Sequence, residues 1–132
     1  MNVQYSGNLR CTATHLKSGN QLVTDAPTDN NGKGEAFSPT DLLCTSLATC
    51  MITLMGITAN SKEIKLGEIN ADIEKIMGSD PRRVAGINIQ FKIQNLDFSD
   101  REKEILKNAA MTCPVAKSIH PDIELGIDFQ FV

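Results

Sequence analysis

The chain has 132 residues, 41% of them hydrophobic, which suffices for one core but not two, so a single domain spanning residues 1–132 is expected. Thirteen Lys and Arg against 16 Asp and Glu leave a net charge of -3, too little to gather a phosphate backbone or an anionic lipid surface, which argues against nucleic-acid and membrane partners. The first residues show no basic stretch followed by an apolar one, so no secretory signal is expected and a cytoplasmic location is inferred.

Val3 to Val23 mixes Tyr, Thr, Val and Leu with polar residues around Ser18-Gly19-Asn20, which predicts a strand, a turn and a second strand. Asp25 to Glu35 is rich in turn formers and reads as an exposed loop. Ser38-Pro39-Thr40-Asp41 then opens a helix: Ser38 caps, Pro39 loses nothing by lacking an N–H in the first turn, and Asp41 stands three residues after the cap. The helix is expected from Pro39 to about Ala59. No charge occurs from Leu42 to Ser61 and apolar residues surround the axis, so the helix is expected to be buried on all sides.

An uncharged stretch of that length approaches the roughly 20 residues that cross a bilayer, but Thr45, Ser46, Thr49, Thr53 and Gly56 weigh against insertion. Thr45, Thr49, Thr53 and Gly56 instead form a stripe of small residues suited to the close approach of another helix, which suggests cover by a second subunit. Alternation predicts strands from Ile64 to Ile76 and from Val84 to Ile93, joined by a turn at Gly78-Ser79-Asp80-Pro81. A second helix follows, capped by Ser99, with Ile105, Leu106, Ala109 and Ala110 facing inward. Cys113-Pro114 ends it, and Pro114 to Ile119 is expected to form a further short turn with Cys113 at its entrance. Ile123 to Phe131 closes the chain as a half-buried strand, and the whole order predicts an α+β fold with a mainly antiparallel sheet.

Four cysteines, Cys11, Cys44, Cys50 and Cys113, carry the candidate chemistry. In a reducing compartment metal binding, catalysis or plain burial are the choices. Zinc is disfavoured because no Cys-x-x-Cys pair exists and His15 and His120 lack ligand spacing, and no hydrolase nucleophile elbow is present. By spacing alone Cys50 reads as a small buried hydrophobe. Cys113, at a helix entrance, is expected to have a lowered pKa because the helix dipole and free N–H groups favour thiolate.

Ser38-Pro39-Thr40-Asp41-Leu42-Leu43 with Ala48-Thr49-Cys50, and later Thr112-Cys113-Pro114-Val115, resemble the two cysteine motifs of the OsmC/Ohr family. Thr12-Ala13-Thr14-His15, Thr24-Asp25-Ala26-Pro27 and Asp80-Pro81-Arg82-Arg83 extend the resemblance over nearly the whole chain, toward its OsmC-like branch. The resemblance implies an OsmC-like fold and an intertwined homodimer whose sheets wrap two central, buried Cys-bearing helices, with active sites at the subunit interface. It also implies a thiol-dependent peroxidase, without cofactor or metal, that reduces organic hydroperoxides. Cys50 would form a sulfenic acid, Cys113 would close a disulfide with it, and a dithiol, lipoyl-type or small, would restore both.

Ohr-like members activate the thiolate with an arginine from an early strand turn and a glutamate near the start of the Cys helix. Lys17 and Thr40 occupy the matching positions here, a cation without the planar fork and a hydroxyl without charge. His15, Glu35, Asp41, Arg82 and Arg83 are the other candidates for support, each with an ordinary cap, loop or turn reading beside it. Cys44 reads as core and Cys11 as a strand residue. Two further functions stay open: a stress-associated or binding protein of the same fold with weak turnover, and a thiol enzyme acting on another electrophile.

Overall fold

Two turns made from the same tripeptide shape the beginning of the chain. In the computed structural model, which describes residues 1–132, Ser6-Gly7-Asn8 folds β1 (Asn2–Gly7) back onto β2 (Arg10–Thr14), and Ser18-Gly19-Asn20 leads into β3 (Gln21–Asp25). The first turn divides what the sequence suggested was one strand. It needs positive φ at three successive residues, Gly7 (84°), Asn8 (52°) and Leu9 (61°), which glycine and asparagine adopt more readily than leucine. The three strands form an antiparallel sheet in the order β1-β2-β3.

The chain divides into two compact units, Met1–Leu43 and Cys44–Val132. In the first, the segment after β3 contains a single 3-10 turn at Thr28–Asn30 and returns so closely that a Cβ on Gly32 would lie 1.7 Å from the carbonyl oxygen of Ala26. Only glycine fits there. The segment ends at Ser38, whose backbone N–H donates to Asp41 Oδ2 (2.8 Å) while the Asp41 N–H lies 3.1 Å from Ser38 Oγ. This reciprocal cap, read from the sequence, starts α1 (Pro39–Ser61), which continues into the second unit.

Within the second unit α1 buries Cys44, Leu47, Ala48, Met51, Met55 and Ala59, mostly at the four-residue spacing of one helix face. Thr49, Thr53 and Ile57 are exposed in the single chain, so the chain by itself covers one side of the helix and leaves this stripe open. The Thr49 and Thr53 hydroxyls donate to the carbonyls of Thr45 and Thr49 (2.9 and 2.8 Å), so their polarity is spent on the helix itself. By length and composition alone, α1 would suffice to cross a membrane.

β4 (Ile69–Gly78) and β5 (Arg83–Ile93) form the expected hairpin, with β4 beginning five residues later than alternation suggested. β6 (Glu124–Phe131) lies parallel to β5, so three strand pairings in the molecule are antiparallel and one is parallel. A parallel neighbour demands a crossover, supplied by the stretch containing α2 (Asp100–Met111) and α3 (Pro114–Ser118). Ile87, Ile89, Phe91 and Ile93 share one face of β5 and are fully buried, and Phe91 stacks on Phe129 of β6 at 5.2 Å between centroids. Phe98, Leu106, Ala110 and Cys113 are the buried residues of this crossover. The fold is thus α+β, built from two three-stranded sheets and three helices.

Candidate active site

Cys113 ends the second helix and begins the third. Its sulfur accepts the Ala116 N–H at 3.5 Å, the N-cap geometry expected from proline at the first helical position, and its thiol points at the Leu47 carbonyl of α1 at 4.0 Å. The residue is fully buried, at 0% exposure. Leu47 precedes Cys50 by less than one turn, and the Cys50 side chain is near enough to Cys113 to shift its pKa. Two sulfurs far apart in sequence are therefore neighbours within the second unit, and both are free thiols.

Their surroundings differ in a way that matters chemically. The Cys113 pKa is raised, first because burial disfavours the thiolate and then because of the neighbouring Cys50 side chain; the Ala116 and Val115 N–H groups pull the other way and lose. This corrects the expectation of a lowered value. The helix entrance is present, but desolvation outweighs a short helix's dipole. Cys50 is the less buried residue of the two. The arrangement offers a less buried cysteine beside a closed, neutral thiol, which suits reaction at the first and condensation by the second.

Apart from Arg82 and Arg83, the other sequence candidates lie in the first unit. His15 and Lys17 are exposed on the turn between β2 and β3, where His15 Nδ1 is 2.6 Å from Ser18 Oγ. Thr40, in the first turn of α1, places its hydroxyl 3.0 Å from Ser38 Oγ. Arg83, in the second unit, is tied up in its own hairpin, donating to the carbonyls of Pro81 (3.1 Å) and Ser79 (3.3 Å). Cys11 sits on β2 opposite Tyr5 and Thr24, and Cys44 is buried, as the sequence suggested. No three His, Cys, Asp or Glu side chains converge as metal ligands.

One cluster escaped the sequence reading. Arg10 and Asp25 are direct partners across β2 and β3, and Arg10 Nε and Nη2 donate to the two Asp25 oxygens at 2.7 and 2.8 Å. Nη2 also reaches Glu35 at 3.0 Å, while the Glu35 backbone N–H donates to Asp25 at 3.1 Å. Asp25 is the one charged residue among the buried set, at 2% exposure. The Arg10 hydrogen bonds hold its carboxyl below the usual range, against the opposing effect of burial. Asp25 stood in a family-like motif and Glu35 among the support candidates, but nothing in the sequence pairs either with Arg10 until the strand register is known.

Comparison with known proteins follows the same lines. Residues 32–128 match the family model described as OsmC-like protein. A Psychrobacter arcticus 273-4 protein, provisionally described as an osmotic stress induced and detoxification response protein, is 52% identical, with 97% of this chain and 93% of that one covered and a TM-score of 0.91. An organic hydroperoxide resistance protein OsmC from Legionella pneumophila shares the fold at 18% identity, covering 98% of this chain and 95% of that one with a TM-score of 0.75. An OsmC-like protein from Mycoplasma pneumoniae does so at 18% identity, 99% and 94% coverage and a TM-score of 0.82. No curated protein matches. The chain belongs to the OsmC-like protein family.

Proposed function

We propose that this protein is a thiol-dependent hydroperoxide reductase in which Cys50 is peroxidatic and Cys113 resolving. The observation that carries the reading is the proximity of a half-buried Cys50 to a buried, neutral Cys113. The Cys50 thiolate attacks one oxygen of R–O–O–H; the O–O bond breaks, an alcohol leaves after protonation, and Cys50 becomes a sulfenic acid. Cys113 gives its proton as its sulfur displaces hydroxide from that sulfenic acid, so that one disulfide and one water form. A dithiol reduces the disulfide by exchange and leaves as its own cyclic disulfide.

The free thiols fit a reducing, cytoplasmic setting. A homodimer with interfacial sites is supported by the exposed stripe of Thr49, Thr53 and Ile57 on α1 and by the exposed apolar residues of the first sheet. Description of a structural relative from Legionella pneumophila as an organic hydroperoxide resistance protein supports the substrate class. A single domain over residues 1–132 remains part of the proposal.

One equivalent of cumene hydroperoxide should convert both residues to a Cys50–Cys113 disulfide detectable by peptide mass spectrometry, and Cys50→Ser should abolish peroxide consumption. Equal rates for the variant and the wild type would instead favour a stress-associated or binding role without turnover. That second reading draws on the exposed position of Lys17 and the uncharged Thr40, which differ from the arginine and glutamate that Ohr-like members use.

A further inference from the structure

An ion pair with one buried partner adds little net stability, because desolvation offsets much of the attraction, but a two-pronged guanidinium–carboxylate contact is directional and fixes geometry. The Arg10–Asp25 pair joins segments distant along the chain. Asp25 holds β2 through Arg10 and the far side of the following segment through the Glu35 N–H, while its own backbone N–H donates to the Phe37 carbonyl at 3.1 Å. Phe37 is the residue immediately before the Ser38 cap of α1. Between these anchor points the segment is pressed onto Ala26, whose carbonyl also accepts the Gly34 N–H at 3.3 Å, and Gly32 leaves no room for a side chain.

We propose that Asp25 is a positioning residue: with Arg10 it locks residues 26–37 onto the first sheet and so fixes the start of the helix that carries Cys50. A continuous helix transmits a shift or rotation at its first turn along its length, since each residue is set about 100° and 1.5 Å from the last. A misplacement of about 1 Å at a reacting group can cost on the order of a hundredfold in rate. The pair contributes no atom to the reaction. Its effect on disulfide formation rests on the peroxidase reading above, whereas its hold on the helix start does not.

The test compares Asp25→Asn, Arg10→Lys and Gly32→Ala with Ser99→Ala, a control that weakens the cap of α2 and leaves the lock intact. Hydrogen exchange of residues 35–41 and single-turnover formation of the Cys50–Cys113 disulfide with cumene hydroperoxide are both read where every variant is folded. Asp25→Asn and Gly32→Ala should speed exchange in that segment and slow disulfide formation on the order of tenfold to a hundredfold. Arg10→Lys, which retains the charge and one donor, should recover part of the rate, and Ser99→Ala should change neither. Should Asp25→Asn fail to fold, Gly32→Ala carries the same expectation and Arg10→Lys a smaller change of the same sign. Unchanged exchange overturns the lock; faster exchange with an unchanged disulfide rate, or equal slowing by Ser99→Ala, overturns the positioning role. If the wild type forms no disulfide, the peroxidase reading fails, while exchange together with the rate of Cys50 alkylation still decides the lock.

Discussion

The two sheets of this protein solve opposite problems. The second is long and has a face of Ile87, Ile89, Phe91 and Ile93 removed from water, whereas the first is short, with β1 exposed along its length and Val3 and Tyr5 at 66% and 63% exposure. Yet the chain's one buried charge belongs to the first sheet, at Asp25. Burial of apolar area therefore supplies stability in the second unit, while directional polar contacts define conformation in the first.

The sharpest way to break this contrast is at the centre of the second sheet. Phe91→Ala removes a fully buried ring stacked on Phe129 and should cost about 3–5 kcal/mol, read from the midpoint of urea unfolding. A loss no larger than that of a surface substitution would mean that the second sheet is not the main source of stability.

Acid and base should separate the units as well. Asp25 has a depressed folded-state pKa, so its contribution is present above the ordinary carboxylate range and is lost as pH falls through the folded value. Cys113 has a raised one, so its contribution is complete below the ordinary thiol value of 9.0 and is lost as pH rises from there through the folded value. One proton bears a limiting slope of about 1.4 kcal/mol per pH unit. Unfolding measured against pH should show a flatter acid limb in Asp25→Asn and a flatter alkaline limb in Cys113→Ser, each leaving the opposite limb unchanged.

Ser99→Ala is a smaller perturbation. It deletes a capping box in which the Ser99 hydroxyl and backbone N–H pair with Glu102, and should cost about 1 kcal/mol, again by urea unfolding. That cap also illustrates what a sequence reveals. Ser99-Asp100-Arg101-Glu102, Ser38-Pro39-Thr40-Asp41 and Cys113-Pro114 are local patterns whose geometry depends on a few neighbouring residues, and all three helix starts fall where they predict. The turn at Ser6-Gly7-Asn8 was equally local, and its likeness to Ser18-Gly19-Asn20 was the signal that could have revealed it. The sign of the Cys113 pKa shift could not be read, because it depends on how completely distant parts of the chain exclude water. Arg10 and Asp25 are fifteen residues apart, and only the register of β2 on β3 brings them together. The parallel pairing of β6 is likewise a matter of topology, which alternation along a strand does not encode.

The smallest expected change tests what covers the first sheet. Val3, Ala13 and Leu22 are cross-strand partners, as are Tyr5, Cys11 and Thr24, so all six share one face, on which Val3, Tyr5 and Leu22 stand open to solvent in the single chain. A side chain that is exposed in the monomer gains little from folding, so Tyr5→Ser should alter monomer stability by no more than about 0.5 kcal/mol. In the homodimer proposed above, the same ring becomes contact area, and its loss should appear in association instead. Sedimentation velocity across a micromolar concentration series should therefore find the wild type dimeric and Tyr5→Ser shifted toward monomer, with the melting temperature of the wild type rising with concentration. Identical sedimentation of both proteins as monomers would mean that the face stays open to water, and would remove its support for the dimer.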